Sequence, residues 1–404
     1  MAEFPKKLQK KLSDREHQNA LRRLPAENTL VDFSSNDYLG LSRNRELFDA
    51  ASRLLEAKGI LKNGATGSRL LSGNYVLYKE LEDVLCDFHQ TDSALVFNSG
   101  YDANIGFFGS VPQRGDIIFY DEYAHASIRD GIKMGNAKSY KFKHNDLQDL
   151  KKKCQAERSR NALAKNTEMS SPSVVTERSR SEAEVYVVTE SVFSMDGDSP
   201  DLRAFADFCK ESNCRLIVDE AHAVGVFDEM GEGLIQHLGL QDAIFARMVT
   251  FGKAIGCHGA AVLGSKILKN YLVNFARSFI YTTGLPPHSV ATILAAYKNL
   301  QSSKRVQEGL KTRIGSFNLE LEALGLEPYF IPSDSAIHCC IVGGKTNAKS
   351  IAKKIQERGF DIRPILSPTV PEGQERLRIC LHSFNTKEEI TEMLSLLSNL
   401  LNSL

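Results

Sequence analysis

Apolar positions along the chain fall into two alternating rhythms. Short runs rich in β-branched and aromatic residues, at 94–98 (ALVFN), 116–120 (DIIFY), 185–189 (VYVVT), 215–219 (RLIVD) and 247–250 (RMVT), have the length and composition of strands. Between them lie stretches of helical period, such as 201–211, and a further apolar strand follows a glycine-rich turn near 260. Such alternation predicts an α/β layer whose sheet is mostly parallel and covered by helices. In sheets of this kind ligands sit beyond the carboxyl ends of the strands. Asp219 and Thr250 stand at such ends, and Ser99, Gly100 and Tyr101 follow another.

The rhythm changes after 284. Pro286 and Pro287 open a long helical run toward 326, proline being tolerated in a first turn. A strand is expected at 336–342, a helix at 348–358, a strand at 376–381 and a helix at 387–401, together a smaller α+β domain. The division expected is an N-terminal segment, 1–50, packing with the small domain; a large domain, 51–285; and the C-terminal small domain, 286–404. One stretch of the large domain, 155–184, is polar and repeats ERSR at 157–160 and 177–180. It reads as a flexible insertion.

Charge and cysteine usage narrow the function classes. Basic and acidic residues balance at 50 each, so no global field draws the chain to nucleic acid or to an anionic membrane. No apolar run approaches the roughly 20 residues that span a bilayer. The charged N-terminus lacks the apolar core of a secretion signal, and a cytoplasmic location is expected. Eight cysteines with no Cys-x-x-Cys pair point to reduced thiols, and neither a zinc site nor a disulfide framework is expected.

The run 249–264 (VTFGKAIGCHGAAVLG) sets Lys253 on a turn among small residues, between two apolar strands. A lysine is ordinarily a solvated charge; an amine placed where backbones crowd suits Schiff-base chemistry. The run 216–222 (LIVDEAH) adds Asp219 and His222 just past another strand. An amine for an aldehyde and a carboxylate for a ring nitrogen together point to pyridoxal phosphate. His222 could reach the ring's phenolic oxygen, and His125, in 121–127 (DEYAHAS), could stack on its face. Thr250 and the Ser99-Gly100-Tyr101 turn offer a hydroxyl and helix-start N–H groups to a phosphate. Two other motifs fail as nucleotide sites. The acidic box 219–222 lacks a partner P-loop, because 343–346 (GGKT) would need a glycine where Cys339 stands.

Longer segments carry a family likeness. The runs 32–41 (DFSSNDYLGL), 190–198 (ESVFSMDGD), 249–253, 279–283 (FIYTT), 368–371 (PTVP) and 376–378 (RLR) resemble the α-oxoamine synthases, pyridoxal-phosphate enzymes of fold type I. Within that family they are most similar to the branch that makes 8-amino-7-oxononanoate for biotin. The resemblance implies a large domain with a mostly parallel, seven-stranded sheet, and that Lys253 holds the cofactor and acts with His125, Asp219 and His222. It also implies cofactor contacts from Gly100, Tyr101, Ser194 and Thr250, and from Thr282 or Thr283, which would reach the cofactor of the neighbouring subunit in a homodimer with shared sites. Substrate contacts would come from Arg22, Asn36, His125, Thr369 and Arg378. The reaction implied is the decarboxylating condensation of L-alanine with pimeloyl-CoA or a pimeloyl carrier protein. Sister activities, glycine with acetyl-CoA or a serine palmitoyltransferase-like reaction, share the chemistry. The chain departs from the pattern at 63–69 (NGATGSR), at Tyr78 and at 365–367 (ILS), near expected acyl contacts.

Overall fold

The computed structural model describes residues 4–17, 21–22, 24, 27–168 and 183–403, and only the backbone of 161–168. Twelve strands follow one another among these residues: β1 (Val31–Asp32), β2 (Ser93–Phe97), β3 (Ile117–Asp121), β4 (Lys138–Phe142), β5 (Val185–Glu190), β6 (Arg215–Asp219), β7 (Ala246–Thr250), β8 (Ala260–Gly264), β9 (Ile337–Ile341), β10 (Phe360–Asp361), β11 (Arg363–Ile365) and β12 (Arg376–Cys380).

Seven of them form the central sheet, in the order β2-β8-β7-β6-β5-β3-β4. It is parallel apart from β8, which runs antiparallel to both its neighbours. Period-two alternation sends Ala94 and Val96 of β2 to one apolar cluster and Leu95 and Phe97 to the other, so both faces of the sheet are covered. The edge strand β4 breaks the apolar rhythm: its KSYKF sequence is largely exposed, with only Phe142 buried.

The smaller sheet, β11-β12-β9, is antiparallel. The N-terminal segment joins it from the side: β1 pairs in parallel with β10, and the Cys380 N–H donates to the Phe33 carbonyl at 2.8 Å. That pairing carries residues 34–41 across to the central sheet. The long helical run beyond Pro286 is two helices, Pro287–Ser302 and Arg305–Ala323, parted where Ser303 turns extended (φ −154°, ψ 129°). The helix Leu147–Glu168 runs on past 155, so the first half of the expected insertion is helical; residues 169–182 lie outside the described residues. Among the described residues no helix is long and apolar enough to cross a membrane. All eight cysteines are free.

Candidate active site

The carboxyl ends of β2, β3, β5, β6 and β7 open on one edge of the sheet, and each delivers a polar group there. Lys253 comes from the connection between β7 and β8. The Gly256 N–H donates to the Lys253 carbonyl at 2.8 Å and the Cys257 N–H to the Phe251 carbonyl at 2.7 Å, closing a tight turn. Gly256 adopts φ +65°, and a Cβ there would sit 2.3 Å from the Ser42 nitrogen. Only glycine lets this turn press against the N-terminal segment. The turn aims the Lys253 amine inward, 2.6 Å from His222 Nε2. Burial pushes the amine's pKa down to about 8, an effect that Asp219 and Glu190 oppose and Arg378 reinforces.

Asp219 ends β6 in register with Glu190 of β5 and Met248 of β7. One carboxylate oxygen accepts from Asn104 Nδ2 at 2.9 Å and the other from the Ala221 N–H at 3.0 Å. Glu190 accepts the His125 N–H at 2.6 Å. Burial first, then the adjacent Asp219 charge, raise its carboxyl well above the usual range. His125 caps the helix Ala126–Met134, its Nδ1 accepting from the Ser127 N–H at 3.2 Å and lying 2.7 Å from Ser127 Oγ. His222 is held well below the ordinary imidazole pKa, chiefly by burial and then by the cations Lys253 and Arg378, so it stays neutral.

Behind His222 lies a line of polar contacts reaching the smaller sheet. His222 Nδ1 is 2.8 Å from the Tyr38 hydroxyl, which donates to Asn36 Oδ1 at 3.1 Å. The same amide oxygen accepts from Arg378 Nη2 at 2.9 Å. Arg378 Nε donates in turn to the Ser194 carbonyl at 2.7 Å.

On the far side, the helix Gly100–Phe108 begins at Ser99, whose hydroxyl accepts the Asp102 N–H. The Gly100 and Tyr101 N–H groups precede any possible intrahelical acceptor and face out of the helix end. A cavity of about 180 Å³ lies between these elements, lined by Gly100, Tyr101, His125, Asp219, His222, Thr250 and Lys253.

The remaining expected residues lie elsewhere. Ser194 and Thr369 line a smaller neighbouring cavity of about 70 Å³ with Tyr123 and Arg129, and Ser194 touches the site network through its carbonyl to Arg378. Thr282 and Thr283 sit on a partly exposed loop tied to Asn98 Nδ2, at 3.0 Å through the Thr282 hydroxyl and 2.6 Å through the Thr283 carbonyl. They do not line their own chain's cavity. Arg22 is exposed and outside it. Tyr78 is core: its hydroxyl accepts the Leu285 N–H at 2.7 Å, and the Arg69 guanidinium lies 3.8 Å from its ring centroid. Sequence reasoning missed Tyr38, Asn104, Ser127 and Glu190 as individual groups. Tyr38 and Glu190 lie inside the signature runs, and Asn104 is a polar residue on the buried face of a mostly apolar helix.

Comparison with known proteins decides what this arrangement belongs to. A family model described as aminotransferase class I and II matches residues 28–397. The chain belongs to this family. Among aminotransferase class I and II proteins, it is 40% identical over 374 residues to 8-amino-7-oxononanoate synthase of Emericella nidulans, covering 90% of this chain and 87% of the relative. It is 35% identical over 373 residues to the enzyme of that name from Saccharophagus degradans, covering 92% and 87%. Its fold matches Sphingomonas wittichii serine palmitoyltransferase with a TM-score of 0.85 at 26% identity, over 100% of this chain and 99% of that one. It matches 8-amino-7-oxononanoate synthase from Francisella tularensis with a TM-score of 0.74 at 28% identity, over 93% and 99%. The chain is an α-oxoamine synthase, a pyridoxal-phosphate-dependent acyltransferase within the aminotransferase family.

Proposed function

We propose that the chain condenses L-alanine with a pimeloyl thioester, carried by coenzyme A or by a carrier protein, to give 8-amino-7-oxononanoate, CO2 and free thiol. The names of the relatives support this reading. The observation that carries it is the Lys253 amine, buried 2.6 Å from His222 in a cavity that also presents Asp219.

These residues fit pyridoxal phosphate. Lys253 would hold the aldehyde, Asp219 the pyridine nitrogen, and the His125 ring would cover one face. The Gly100 and Tyr101 N–H groups with the Thr250 hydroxyl would hold the phosphate. When bound, the cofactor supplies an aldehyde for amines and a ring that withdraws electrons from the amino acid's α-carbon. The buried Asp219 carboxylate, fixed by Asn104 and the Ala221 N–H, would hold a proton on the ring nitrogen. Lys253, with its pKa near 8, can take and return a proton at the α-carbon near neutral pH. Arg378, oriented by Ser194 and Asn36, binds the amino acid's carboxylate until the new carbon–carbon bond is made and that carboxylate leaves as CO2. Arg22 and Thr369 would meet the acyl donor, and Thr282 or Thr283 would reach the second subunit's cofactor in a cytoplasmic homodimer.

Turnover of purified protein across amino acid and thioester pairs tests the assignment. Alanine with a pimeloyl thioester is expected to give the highest kcat/KM. Faster turnover of glycine with acetyl-CoA, or of serine with palmitoyl-CoA, would replace it.

A further inference from the structure

Arg378 and Lys253 are built on different sheets, yet an unbroken set of polar contacts joins them through Asn36, Tyr38 and His222. We infer that Tyr38 is a positioning residue that orients His222 toward the Lys253 amine and ties that amine to the state of the Arg378 carboxylate anchor. The inference rests on the proposed function, in which Arg378 takes the amino acid's carboxylate and Lys253 moves its proton.

Hydrogen-bond accounting supports it. Asn36 Oδ1 has only acceptor capacity, so the Tyr38 O–H and an Arg378 N–H both donate to it, at 3.1 and 2.9 Å. With its proton committed there, the Tyr38 oxygen accepts from His222 Nδ1–H at 2.8 Å. Neutral His222 then carries its lone pair on Nε2, which receives the Lys253 amine at 2.6 Å. Every donor along the line has an acceptor, and its direction is set at the Arg378 end. Tyr38 is fully buried, so water cannot replace its hydroxyl. A carboxylate arriving on Arg378 competes with Asn36 Oδ1 for the guanidinium N–H groups. Asn36 can then draw more strongly on the Tyr38 O–H, which strengthens the contact to His222 at the moment substrate is bound.

Tyr38→Phe removes one oxygen and keeps the ring in its core position. The Lys253 amine also feels Asp219 and Glu190 from the strand ends, and Arg378 and Cys380 from β12, while His125 acts on His222; the variant leaves all of these in place. Two readouts are needed. In cofactor-free protein, the pH dependence of acylation at Lys253, followed by peptide mass, reports the amine's pKa. Loss of a well-placed acceptor should lower it by about half a unit or more, since Nδ1 is orphaned and Nε2 is no longer held toward the ammonium. In the loaded enzyme, kcat should fall about 10-fold or more, with KM for the acyl thioester unchanged. An unshifted amine pKa with normal turnover would overturn the inference. An unshifted pKa with lost turnover and a collapsed melting temperature would assign Tyr38 to packing and overturn it too. If wild-type protein turns over a different substrate pair, the functional reading fails while the amine titration still judges Tyr38.

Discussion

Replacing Asp219 by Asn should move cofactor attachment and catalysis in opposite directions. Asp219 is 7% exposed, and its two oxygens accept from Asn104 Nδ2 and the Ala221 N–H. An asparagine amide offers one oxygen, so one of these donors is orphaned, at a cost of about 1–3 kcal/mol in stability. The charge lost is the largest influence holding the Lys253 pKa up against burial. Removing it should lower that pKa from about 8 by roughly one unit. A pKa of 8 leaves about 9% of the amine neutral at pH 7, and a pKa of 7 leaves about half, a gain of roughly 5-fold in the form that attacks an aldehyde. Attachment of pyridoxal phosphate to cofactor-free protein, followed by visible absorbance from pH 6 to 9, should therefore show its midpoint moving to lower pH. Turnover should fall by about 10²–10³, because the ring nitrogen loses its buried counter-charge. A midpoint that stays put or rises, or turnover within a few-fold of wild type, would refute the role given to Asp219.

Two further outcomes follow from other parts of the structure. Burial disfavours the charged His144 imidazole, but hydrogen bonds to Asp121 and Asp198 outweigh it and raise the pKa to about 10. Because the folded value lies above the unfolded one, the stabilisation is complete below about pH 6.5 and is lost as pH rises through 10. His144→Gln should thus cost roughly 3 kcal/mol in urea unfolding at pH 6.5 and little at pH 10, and equal losses at both would contradict the pairing. If active sites are shared between subunits, mixing Lys253→Ala protein with Thr282→Ala/Thr283→Ala protein through unfolding and refolding should restore about one quarter of wild-type activity, since half of the dimers are mixed and each has one intact site. No recovery would place both threonines outside the second subunit's site.

Much of this was legible in the chain because strand ends and the chemistry they carry are local. The apolar runs ending at Asp219 and Thr250 identify their own positions at the sheet edge, and Lys253 follows from its turn. What stayed hidden depends on distant pairing. β4 is polar because its edge position leaves it exposed, so no apolar rhythm marks it. Glu190 owes its raised pKa first to burial and then to the charge of Asp219, which only the pairing of β5 with β6 brings into register with it. Tyr38 meets His222 across 184 residues of sequence, through the β1–β10 pairing that swings the N-terminal segment over the sheet. Thr369 illustrates the converse: its motif is clear, yet the fold sets it in the smaller neighbouring cavity rather than beside Lys253.

On the proposed function, the buried Lys253 amine is the group that would hold pyridoxal phosphate. Purified protein loaded with the cofactor, reduced with borohydride and digested, gives the direct test by mass spectrometry. The pyridoxyl label should fall on the peptide carrying Lys253, and Lys253→Ala protein should carry none and catalyse no condensation. A label on another lysine, or a protein that takes up no cofactor, would contradict the account.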